Sequence, residues 1–498
     1  MVHLQPIPTD DDLGKGSVVD GLKLDKLQFE PQEDEFVTSV YGSRYAAEDL
    51  PKVEMPEREM PKEVAYRMIK DDLSLDGNPM LNLASFVTTY MEDEAEKLMA
   101  ESLSKNFIDY EEYPQSADIV SDQSIDRSKL LETELTAGLI AKSMRLDGDH
   151  VGHAVHEEGT TYQVTLLGYA VDSLQRWQNK RKEEGKPYDK PNIVMSAAVQ
   201  GECQLCLFVF VRYFEVEEKF VYCTEDRYVI DPEETVNLID ENTIGICAIL
   251  GTTYTGEYED VKKVNDLLIE RGIECPIHVD AASGGFVAPF VRPELVWDFR
   301  LKNVISINVS GHKYGLVYPG VGWIVWRAPE YLPKELVFNI NYLGADQASF
   351  TLNFSKGASQ VIGQYYQMIR LGKRGYRSIM MNLTRTADYL SAALEKLGFI
   401  IMSQGGGKGL PLVAFRLNPK SNHHYDEVGT GAPESQAVIM TPFYHSSTRA
   451  NHSVYLVCGS PPTPRERLDC ARLYHGTPFR AVEAHESCRE GGFQQEPL

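Results

Sequence analysis

The amino-acid sequence predicts an α/β protein with a large, mainly parallel sheet and a smaller C-terminal domain. The first observation is that apolar strand-like runs alternate with amphipathic helices through the middle of the chain. The second is that residues 252–254, Asp280 and Lys313 all follow the ends of such apolar runs. Because the carboxyl ends of parallel strands meet at one edge of a sheet, we expect these three segments to converge there.

The first 79 residues are predicted to form an N-terminal arm that is partly extended. Acidic side chains outnumber basic ones, prolines are scattered, and hydrophobic periodicity is weak. The large domain is predicted over residues 80–383. Its first helix carries Met91, Ala95 and Leu98 on one face, at steps of four and three. The arm is expected to contribute contacts between subunits.

Strands and helices alternate along the rest of the large domain. Residues 244–250 predict a buried strand, residues 261–271 a helix, and residues 276–280 a second strand. Leucine and alanine recur at steps of four and three between residues 383 and 397, which predicts a long amphipathic helix ended by Gly398. That helix is expected to pack the smaller C-terminal α+β domain, residues 384–498.

Composition excludes several classes of function. The chain has 498 residues and a formal net charge of -24, so its surface lacks the broad basic character that binds nucleic acid. The basic run 180–182 is followed by two glutamates, which favours a solvated helix face over a binding patch. Cys203 and Cys206 form a CxxC without a second ligand pair at metal spacing, and we expect no metal site.

The cellular compartment is predicted from what the chain lacks. Residues 1–12 are polar and end in three aspartates, unlike a secretory signal or an Arg-rich transit peptide. The longest apolar run, residues 205–211, is far shorter than the ~20 residues of a membrane-spanning helix. We therefore expect a soluble cytoplasmic protein with no membrane partner and with reduced cysteines.

The chemistry is indicated by Lys313, which lies between Gly311 and Gly315 after an apolar run, and by Asp280 upstream. A lysine amine forms a Schiff base with an aldehyde cofactor, and a carboxylate beside a pyridine nitrogen keeps that nitrogen protonated. This pairing is typical of pyridoxal phosphate enzymes. The small residues that follow Asp280 would let a flat ring lie against the backbone.

Two segments then carry a resemblance to a known family. Residues 278–286 (HVDAASGGF) and 306–318 (SINVSGHKYGLVY) resemble the glutamate decarboxylases, which are group II pyridoxal-phosphate decarboxylases. Residues 106–114 (NFIDYEEYP) match as well, and the resemblance covers roughly two-thirds of the chain. It implies the fold type I architecture of pyridoxal-phosphate-dependent transferases, and decarboxylation of L-glutamate to 4-aminobutyrate.

The resemblance also implies roles for individual residues. Lys313 would carry the Schiff base, Asp280 would pair with the pyridinium nitrogen, and His312 would neighbour the phosphate or the substrate. The other cofactor contacts that it implies are Gln200, which stacks on the ring, with Thr253, Ala282, Phe354 and Ser355. Ser85 and Asn106 would contact the distal carboxylate of glutamate, with Asp109 beside them. Phe354 and Ser355 would reach the phosphate of a partner subunit, which implies a homodimer or higher homo-oligomer.

The chain departs from the family where the phosphate is normally held. The family's Gly-Ser-Ser is absent, its place falls on residues 161–163, and Thr160 and Thr161 offer substitute hydroxyls at a helix start. The match is lost over about 120–176 and is poor after about 426, which favours an altered reading frame or retained intron over gradual divergence. Alternatives to a working glutamate decarboxylase are an impaired subunit that binds cofactor poorly, and an enzyme for another amino acid.

Overall fold

The computed structural model describes the greater part of the chain. The described residues are 55, 59–79, 86–106, 111–120, 153–158, 162–198, 213–224, 226–328, 331, 338–340, 347–349, 357–416, 438–443 and 453–458. The chain divides into two compact units, Met1–Gly77 and Asn78–Leu498. In the first unit, helix α1 spans Lys62–Leu73. The other helices and strands of the described residues belong to the second unit.

The second unit is built on a seven-stranded sheet with the order β1-β7-β6-β5-β4-β2-β3. The strands are β1 (His153–Glu158), β2 (Asn192–Ser196), β3 (Glu217–Val221), β4 (Thr243–Ile249), β5 (Ile277–Asp280), β6 (Val304–Ser310) and β7 (Val321–Trp326). Of these described strands, β7 alone runs against the others. Strands β2, β4, β5, β6 and β7 are buried at every residue, as expected of a sheet covered on both faces.

Helices precede and connect these strands. Their bounds are α2 (Asp93–Glu101), α3 (Pro114–Val120), α4 (Tyr162–Glu183), α5 (Pro232–Asn237), α6 (Val261–Glu270), α7 (Ala288–Val291) and α8 (Ser359–Lys396), with a 3₁₀ turn at Gly284–Phe286. Asp231 and Asp260 cap α5 and α6, since each carboxylate accepts a hydrogen bond from a backbone N–H in the first turn. Among the described residues, no helix combines the length and apolar character needed to cross a bilayer.

The long helix α8 connects the large sheet to a second, antiparallel sheet. Gly372 interrupts it with a backbone conformation (φ 58°, ψ -178°) that a glycine adopts readily. The helix ends at Lys396, and Gly398 follows with a positive φ of 91°, as its sequence position predicts. The second sheet has the order β10-β11-β12-β13, with strands Ile400–Ile401, Val413–Arg416, Val438–Phe443 and Ser453–Cys458. A two-stranded ribbon, β8 (Phe338–Ile340) and β9 (Gln347–Ser349), precedes α8.

The predicted fold class is confirmed, and the strands and helices predicted at 244–250, 261–271 and 276–280 agree with β4, α6 and β5 to within one residue. The predicted helix at 383–397 is the last part of the much longer α8. The domain boundary predicted at residue 383 also falls inside α8, and the division into large and small domains stays a prediction.

Two details of the sequence analysis are wrong. Leu98 is 40% exposed, and Met99, four residues after Ala95, takes its place in the core. Arg181, assigned to a solvated face, is buried: its Nε donates to the carbonyl oxygen of Pro187 at 2.6 Å and its Nη1 to that of Glu241 at 3.1 Å. These bonds hold the guanidinium in place, and its Nη1 also lies 3.4 Å from Oε2 of Glu241.

Candidate active site

Three adjacent strands bring the predicted segments to one edge of the large sheet. The N–H of Leu250, just after β4, donates to the carbonyl oxygen of Asp280 at 2.8 Å. The N–H of Ser310, at the end of β6, donates to the carbonyl oxygen of Ala282 at 3.1 Å. The loops that carry Thr253, Asp280 and Lys313 therefore leave the sheet side by side, in the crevice where α/β sheets bind ligands.

Asp280 ends β5 as a buried carboxylate with ordered donors. Its Oδ1 accepts hydrogen bonds from the backbone N–H of Ala282 and from Nδ2 of Asn308, each at 3.2 Å. Only 3% of the residue is exposed. The backbone amide of Ala282 thus orients the carboxylate that the sequence analysis assigned to the cofactor's ring nitrogen.

A buried histidine lies on the same strand, two residues before Asp280. His278 Nδ1 is 2.9 Å from the hydroxyl of Ser306, and Nε2 is 2.7 Å from Oδ1 of Asn308. Burial lowers the pKa of His278 to about 4, an effect only partly offset by the charge of Asp280. The imidazole is therefore neutral at physiological pH.

The lysine lies in a tight loop between β6 and β7. The N–H of Gly311 donates to the carbonyl oxygen of Val321 at 3.1 Å, and the N–H of Val317 donates to that of Gly311 at 3.3 Å. A Cβ on Gly315 would lie 2.5 Å from the carbonyl oxygen of Gly311, so the fold of the loop requires glycine there. Lys313 itself is half-buried, while His312 is 7% exposed.

Helix α8 holds the lysine loop through buried polar side chains. Nε2 of Gln364 and the hydroxyl of Tyr376 both donate to the carbonyl oxygen of Gly315, each at 2.9 Å. Nε2 of Gln367 donates to the carbonyl oxygen of Leu316 at 2.8 Å. These bonds satisfy carbonyl oxygens that the tight loop withdraws from solvent.

The segment after residue 85 holds the other side of the loop. The backbone N–H of Thr88 donates to the carbonyl oxygen of His312 at 2.7 Å, and its hydroxyl donates to that of Lys313 at 2.9 Å. Nζ of Lys313 lies 5.9 Å from the ring centroid of Phe86, within cation–π range. The lysine side chain therefore lies between the sheet edge and an aromatic face.

The loop of Thr253 is attached to a segment near the second sheet. Gly251 and Gly256 adopt positive φ angles of 103° and 71°. The N–H of Leu410 donates to the carbonyl oxygen of Gly256 at 2.8 Å, and Nε2 of Gln404 donates to Oε1 of the buried Glu257 at 2.6 Å. Thr253 is half-buried on this loop.

A second buried acid, Glu259, lies behind the site. Its Oε2 accepts from the N–H of Ile249 at 2.7 Å and its Oε1 from the N–H of Ile230 at 3.2 Å. Burial, with a smaller contribution from the charge of Asp280, raises the pKa of Glu259 from 4.5 to about 7 against the opposing effect of these hydrogen bonds. The carboxyl group of Glu259 therefore changes charge near neutral pH, directly behind the site.

The structure locates part of the predicted set. Lys313, Asp280, His312, Ala282 and Thr253 lie at the shared edge described above. Asn106 is exposed and forms an isolated antiparallel bridge with Gly357. The other predicted residues lie outside the described residues: Ser85, Asp109, Thr160, Thr161, Gln200, Phe354 and Ser355.

Three polar residues of β6 were missed by the sequence analysis. Ser306, Asn308 and Ser310 are each 0% exposed and alternate along the strand, so they share one face with period two. A parallel strand buried on both faces is normally a continuous apolar run. Polar residues at every second position of such a strand were the available signal.

The hydroxyl of Ser310 indicates whether this edge of the sheet can bind the phosphorylated aldehyde cofactor that the sequence predicts. This hydroxyl is buried and has no hydrogen-bond partner among the described residues, although it stands at the end of β6 and three positions before Lys313. A buried hydroxyl without a partner is costly unless a ligand or water completes it. Together with a lysine amine and a fixed carboxylate, this hydroxyl makes the donor set fit pyridoxal phosphate.

The fold and the site therefore define a fold type I pyridoxal-phosphate enzyme. Comparison with known proteins narrows the class: residues 56–418 match the pyridoxal-dependent decarboxylase conserved domain. The chain belongs to the pyridoxal-dependent decarboxylase family, and the resemblance found in its sequence is confirmed.

The relatives most similar to the chain include glutamate decarboxylases. The chain is 52% identical over 430 residues to a glutamate decarboxylase of Petunia hybrida, covering 85% of this chain and 82% of the relative. It is 51% identical over 402 residues to glutamate decarboxylase 2 of Arabidopsis thaliana, covering 79% and 77%. The solved glutamate decarboxylase of Lactobacillus brevis superposes with a TM-score of 0.70 at 36% identity, covering 84% of this chain and 91% of that one. The alignments therefore cover more of the chain than the two-thirds over which the sequence analysis found the resemblance.

Proposed function

We propose that this protein is a glutamate decarboxylase, which converts L-glutamate to 4-aminobutyrate and carbon dioxide. The observation that carries the proposal is the meeting of the Asp280 and Lys313 loops at one edge of the sheet, joined by the bond from Ser310 to Ala282. The names of the relatives, each at about half identity, support glutamate as the substrate.

Pyridoxal phosphate is the cofactor of the proposed reaction, and when bound it supplies an electron sink for the electrons left by the departing carbon dioxide. The Nζ of Lys313 would hold its aldehyde carbon, and the carboxylate of Asp280 would hold its ring nitrogen. Ala282 and Thr253 would contact the ring, while His312 and Ser310 would contact the phosphate or substrate. We add Ser310 to the cofactor contacts predicted from the sequence.

The chain's own residues prepare this site before substrate arrives. The backbone amide of Ala282 and the side-chain amide of Asn308 donate to Oδ1 of Asp280 and fix the carboxylate that would hold the cofactor's ring nitrogen. Phe86 covers Lys313 with an aromatic face and limits water around its amine. Buried donors fixed in advance contribute most to electrostatic stabilisation, because they need no reorientation during the reaction.

Substrate selection and assembly rest on residues outside the described set, apart from Asn106. We assign Ser85 and Asn106 to the distal carboxylate of glutamate, with Asp109 beside them. Phe354 and Ser355 are assigned to the phosphate held by a partner subunit, and Thr160 and Thr161 to the phosphate within the same subunit, with Gln200 on the ring. The working unit is accordingly a homodimer or a larger homo-oligomer in the cytoplasm.

Purified full-length protein supplied with pyridoxal phosphate and L-glutamate tests the proposal. We expect 4-aminobutyrate to accumulate with L-glutamate, and no β-alanine, the corresponding decarboxylation product, to form from L-aspartate. Lys313→Ala is expected to abolish the product, whereas Lys302→Ala, an exposed lysine before the same strand, is expected to retain it. Product formed equally well by Lys313→Ala would contradict the assignment.

Cofactor attachment is measured separately from turnover. The loaded wild-type protein is expected to show a visible absorption band that borohydride removes, and mass spectrometry is expected to find the reduced cofactor on the peptide containing Lys313. A folded wild-type protein that takes up no pyridoxal phosphate would instead favour the impaired subunit. A protein with the band but a different preferred amino acid would favour another decarboxylase substrate.

A further inference from the structure

A row of buried polar side chains crosses from β6 to β5 beneath the proposed cofactor site. The strand register sets His278 opposite Ser306 and Asp280 opposite Asn308. All four residues are at most 3% exposed. Polar groups at this depth require partners, and three hydrogen bonds link these four side chains into one chain.

The chemistry of the four groups fixes the direction of every bond. An ionised Asp280 can only accept, so Asn308 must present its amide N–H₂ to Oδ1 of Asp280. The amide oxygen of Asn308 then faces Nε2 of His278, so this nitrogen carries the ring proton. In a neutral imidazole Nδ1 accepts, and therefore the hydroxyl of Ser306 donates to it.

The bonds consequently run one way, from Ser306 through His278 and Asn308 to Asp280. Bonds aligned in this manner polarise one another, and the effect is greatest where water is excluded. Donors directed at a carboxylate favour its charged form. With His278 neutral, reversing any link would turn the amide oxygen of Asn308 toward Oδ1 of Asp280, and two acceptors would then face each other without a proton between them.

We propose that Ser306, His278 and Asn308 are positioning residues for Asp280, forming a one-way chain of donors that holds the carboxylate ionised and fixed toward the ring nitrogen of pyridoxal phosphate. The inference rests on the proposed function only in requiring that cofactor, and it does not depend on which amino acid is decarboxylated. None of the three residues needs to contact the substrate, the cofactor or the reacting atoms. They act through Asp280.

Other ionisable groups face the same carboxylate and define the electrostatic setting. Glu259 and Cys247 lie close enough to Asp280 to interact with its charge, and Cys247 is paired with His278 across β4 and β5. Burial raises the pKa of the Cys247 thiol, so it stays neutral, while Glu259 loses its proton near neutral pH. The donor chain offsets the repulsion that a charged Glu259 imposes on Asp280.

The test measures cofactor affinity in full-length apoprotein titrated with pyridoxal phosphate. Asn308→Ala is expected to raise the cofactor's Kd about tenfold, equivalent to about 1.4 kcal/mol. Ser306→Ala removes only the most distant donor and is expected to raise Kd about twofold to threefold. Ser306→Thr, which retains the hydroxyl, should restore the wild-type value.

A matched control replaces another asparagine by alanine, immediately before the strand that carries Asn308. Asn303 precedes β6 at the opposite end, where its Nδ2 donates to Oδ1 of Asn265 at 3.1 Å. Asn303→Ala is expected to lower the unfolding temperature and to leave the cofactor's Kd within about twofold of wild type. Equal increases in Kd for Asn303→Ala and Asn308→Ala would overturn the proposal, because they would indicate a purely structural role.

A pH titration of the bound cofactor's absorption separates positioning from packing. With the chain broken in Asn308→Ala, the ring nitrogen is held less strongly in its protonated form, so we expect the midpoint to move to lower pH by about half a unit or more. An unchanged midpoint and Kd in folded Asn308→Ala would overturn the proposal. If Asn308→Ala does not fold, the paired Ser306 variants decide the question by the same two readouts.

The outcomes distinguish this inference from the proposed function. Wild-type protein that binds pyridoxal phosphate but makes no 4-aminobutyrate would overturn the function and leave the donor chain to be judged by Kd and pH. Wild-type protein that fails to bind pyridoxal phosphate would overturn both. Normal turnover of glutamate with unchanged cofactor affinity in Asn308→Ala and Ser306→Ala would overturn the donor chain alone.

Discussion

Asp280 and Lys313 lie at the same edge of the sheet, yet different parts of the chain hold them. Asp280 receives its donors from Ala282, two residues away, and from Asn308 on the neighbouring strand. The lysine loop receives its donors from Thr88, Gln364 and Tyr376, none of which belongs to the sheet. The carboxylate is thus positioned by strand register, and the lysine by the packing of two separate segments.

The difference predicts two kinds of sensitivity. A change at the Asp280 side should alter chemistry and pH dependence while the fold persists, since the strands are buried on both faces. A change in the supports of the lysine loop should first lower the free energy of unfolding, because these long-range bonds close the loop against α8 and the segment near residue 88.

The largest effect is expected for Asp280→Asn. Loss of the carboxylate's charge should lower decarboxylase kcat by at least about a hundredfold, while the amide oxygen keeps the bond from Ala282 and preserves the fold. Asp298→Asn is the matched control, because Asp298 is also buried but binds Arg300 away from the site. It should lower stability and leave kcat nearly unchanged. Steady-state kinetics and urea unfolding of both variants check this, and more than a tenth of wild-type kcat in Asp280→Asn would contradict it.

The next effect is the pH dependence of stability due to Glu259. Its pKa is raised from 4.5 to about 7 on folding, so between these values the unfolded chain has released a proton that the folded chain retains. Ionisation favours the unfolded state over this range, and the free energy of unfolding falls as pH rises from 4.5 to 7. Wild type should lose about 3 kcal/mol more than Glu259→Gln across this interval.

Urea unfolding at several pH values measures that difference. The contributions of two other titrating groups to the pH dependence of stability must be distinguished from that of Glu259. His278, with a pKa lowered to about 4, contributes an opposite slope below pH 6.5, and it does so equally in wild type and Glu259→Gln. Burial raises the pKa of Asp172 to about 6, so Asp172→Asn should affect the profile only below that value. Parallel profiles of wild type and Glu259→Gln up to pH 7 would refute the role of Glu259.

A smaller effect is expected where two donors share one carbonyl oxygen of the lysine loop. Gln364→Leu and Tyr376→Phe should each cost about 1 kcal/mol, because the oxygen of Gly315 retains the other donor. The double variant should cost about 3 kcal/mol, more than the sum, since the oxygen then has neither. Chemical denaturation of the four proteins gives the coupling, and strict additivity would show that the two donors act independently.

The smallest effect is expected for Thr88→Val. The substitution removes the hydroxyl that donates to the carbonyl oxygen of Lys313 and keeps the backbone bond to His312, so stability should fall by about 1 kcal/mol. Thr386→Val is the control, because that hydroxyl bonds within α8 to the carbonyl oxygen of Asn382 near solvent. Equal losses in the two variants would mean that Thr88 gives the lysine loop no particular support.

The sequence predicts the sheet side of the site far better than the helix side. Asp280 and Lys313 could be located because each ends an apolar run, and strand ends in a parallel sheet share one edge. Asn308 carried a signal as well, since its polar side chain alternates with those of Ser306 and Ser310 in a buried strand. Its partner could not be named, because pairing with Asp280 depends on a register that shifts between Ile277 and His278.

No signal in the sequence indicates that side chains of α8 support the lysine loop. Gln364 and Tyr376 are polar residues in an amphipathic helix, where pattern alone assigns them to the solvent-facing side. Only tertiary packing reveals that both are buried against the lysine loop. Met99 shows the same limit on a smaller scale, because residues three and four after Ala95 are both its neighbours on a helix, and only packing decides that Met99 rather than Leu98 enters the core.

The position of these supports along the chain has a consequence for how the protein is made. Every hydrogen bond described here to Asp280 or to the lysine loop comes from residues up to Tyr376. The loop of Thr253 differs, because Gln404 and Leu410 hold it. Since chains leave the ribosome from the N-terminus and fold as segments become available, the carboxylate and lysine can be assembled first. The strands β11, β12 and β13 emerge later, and the Thr253 loop is secured only as that last region arrives.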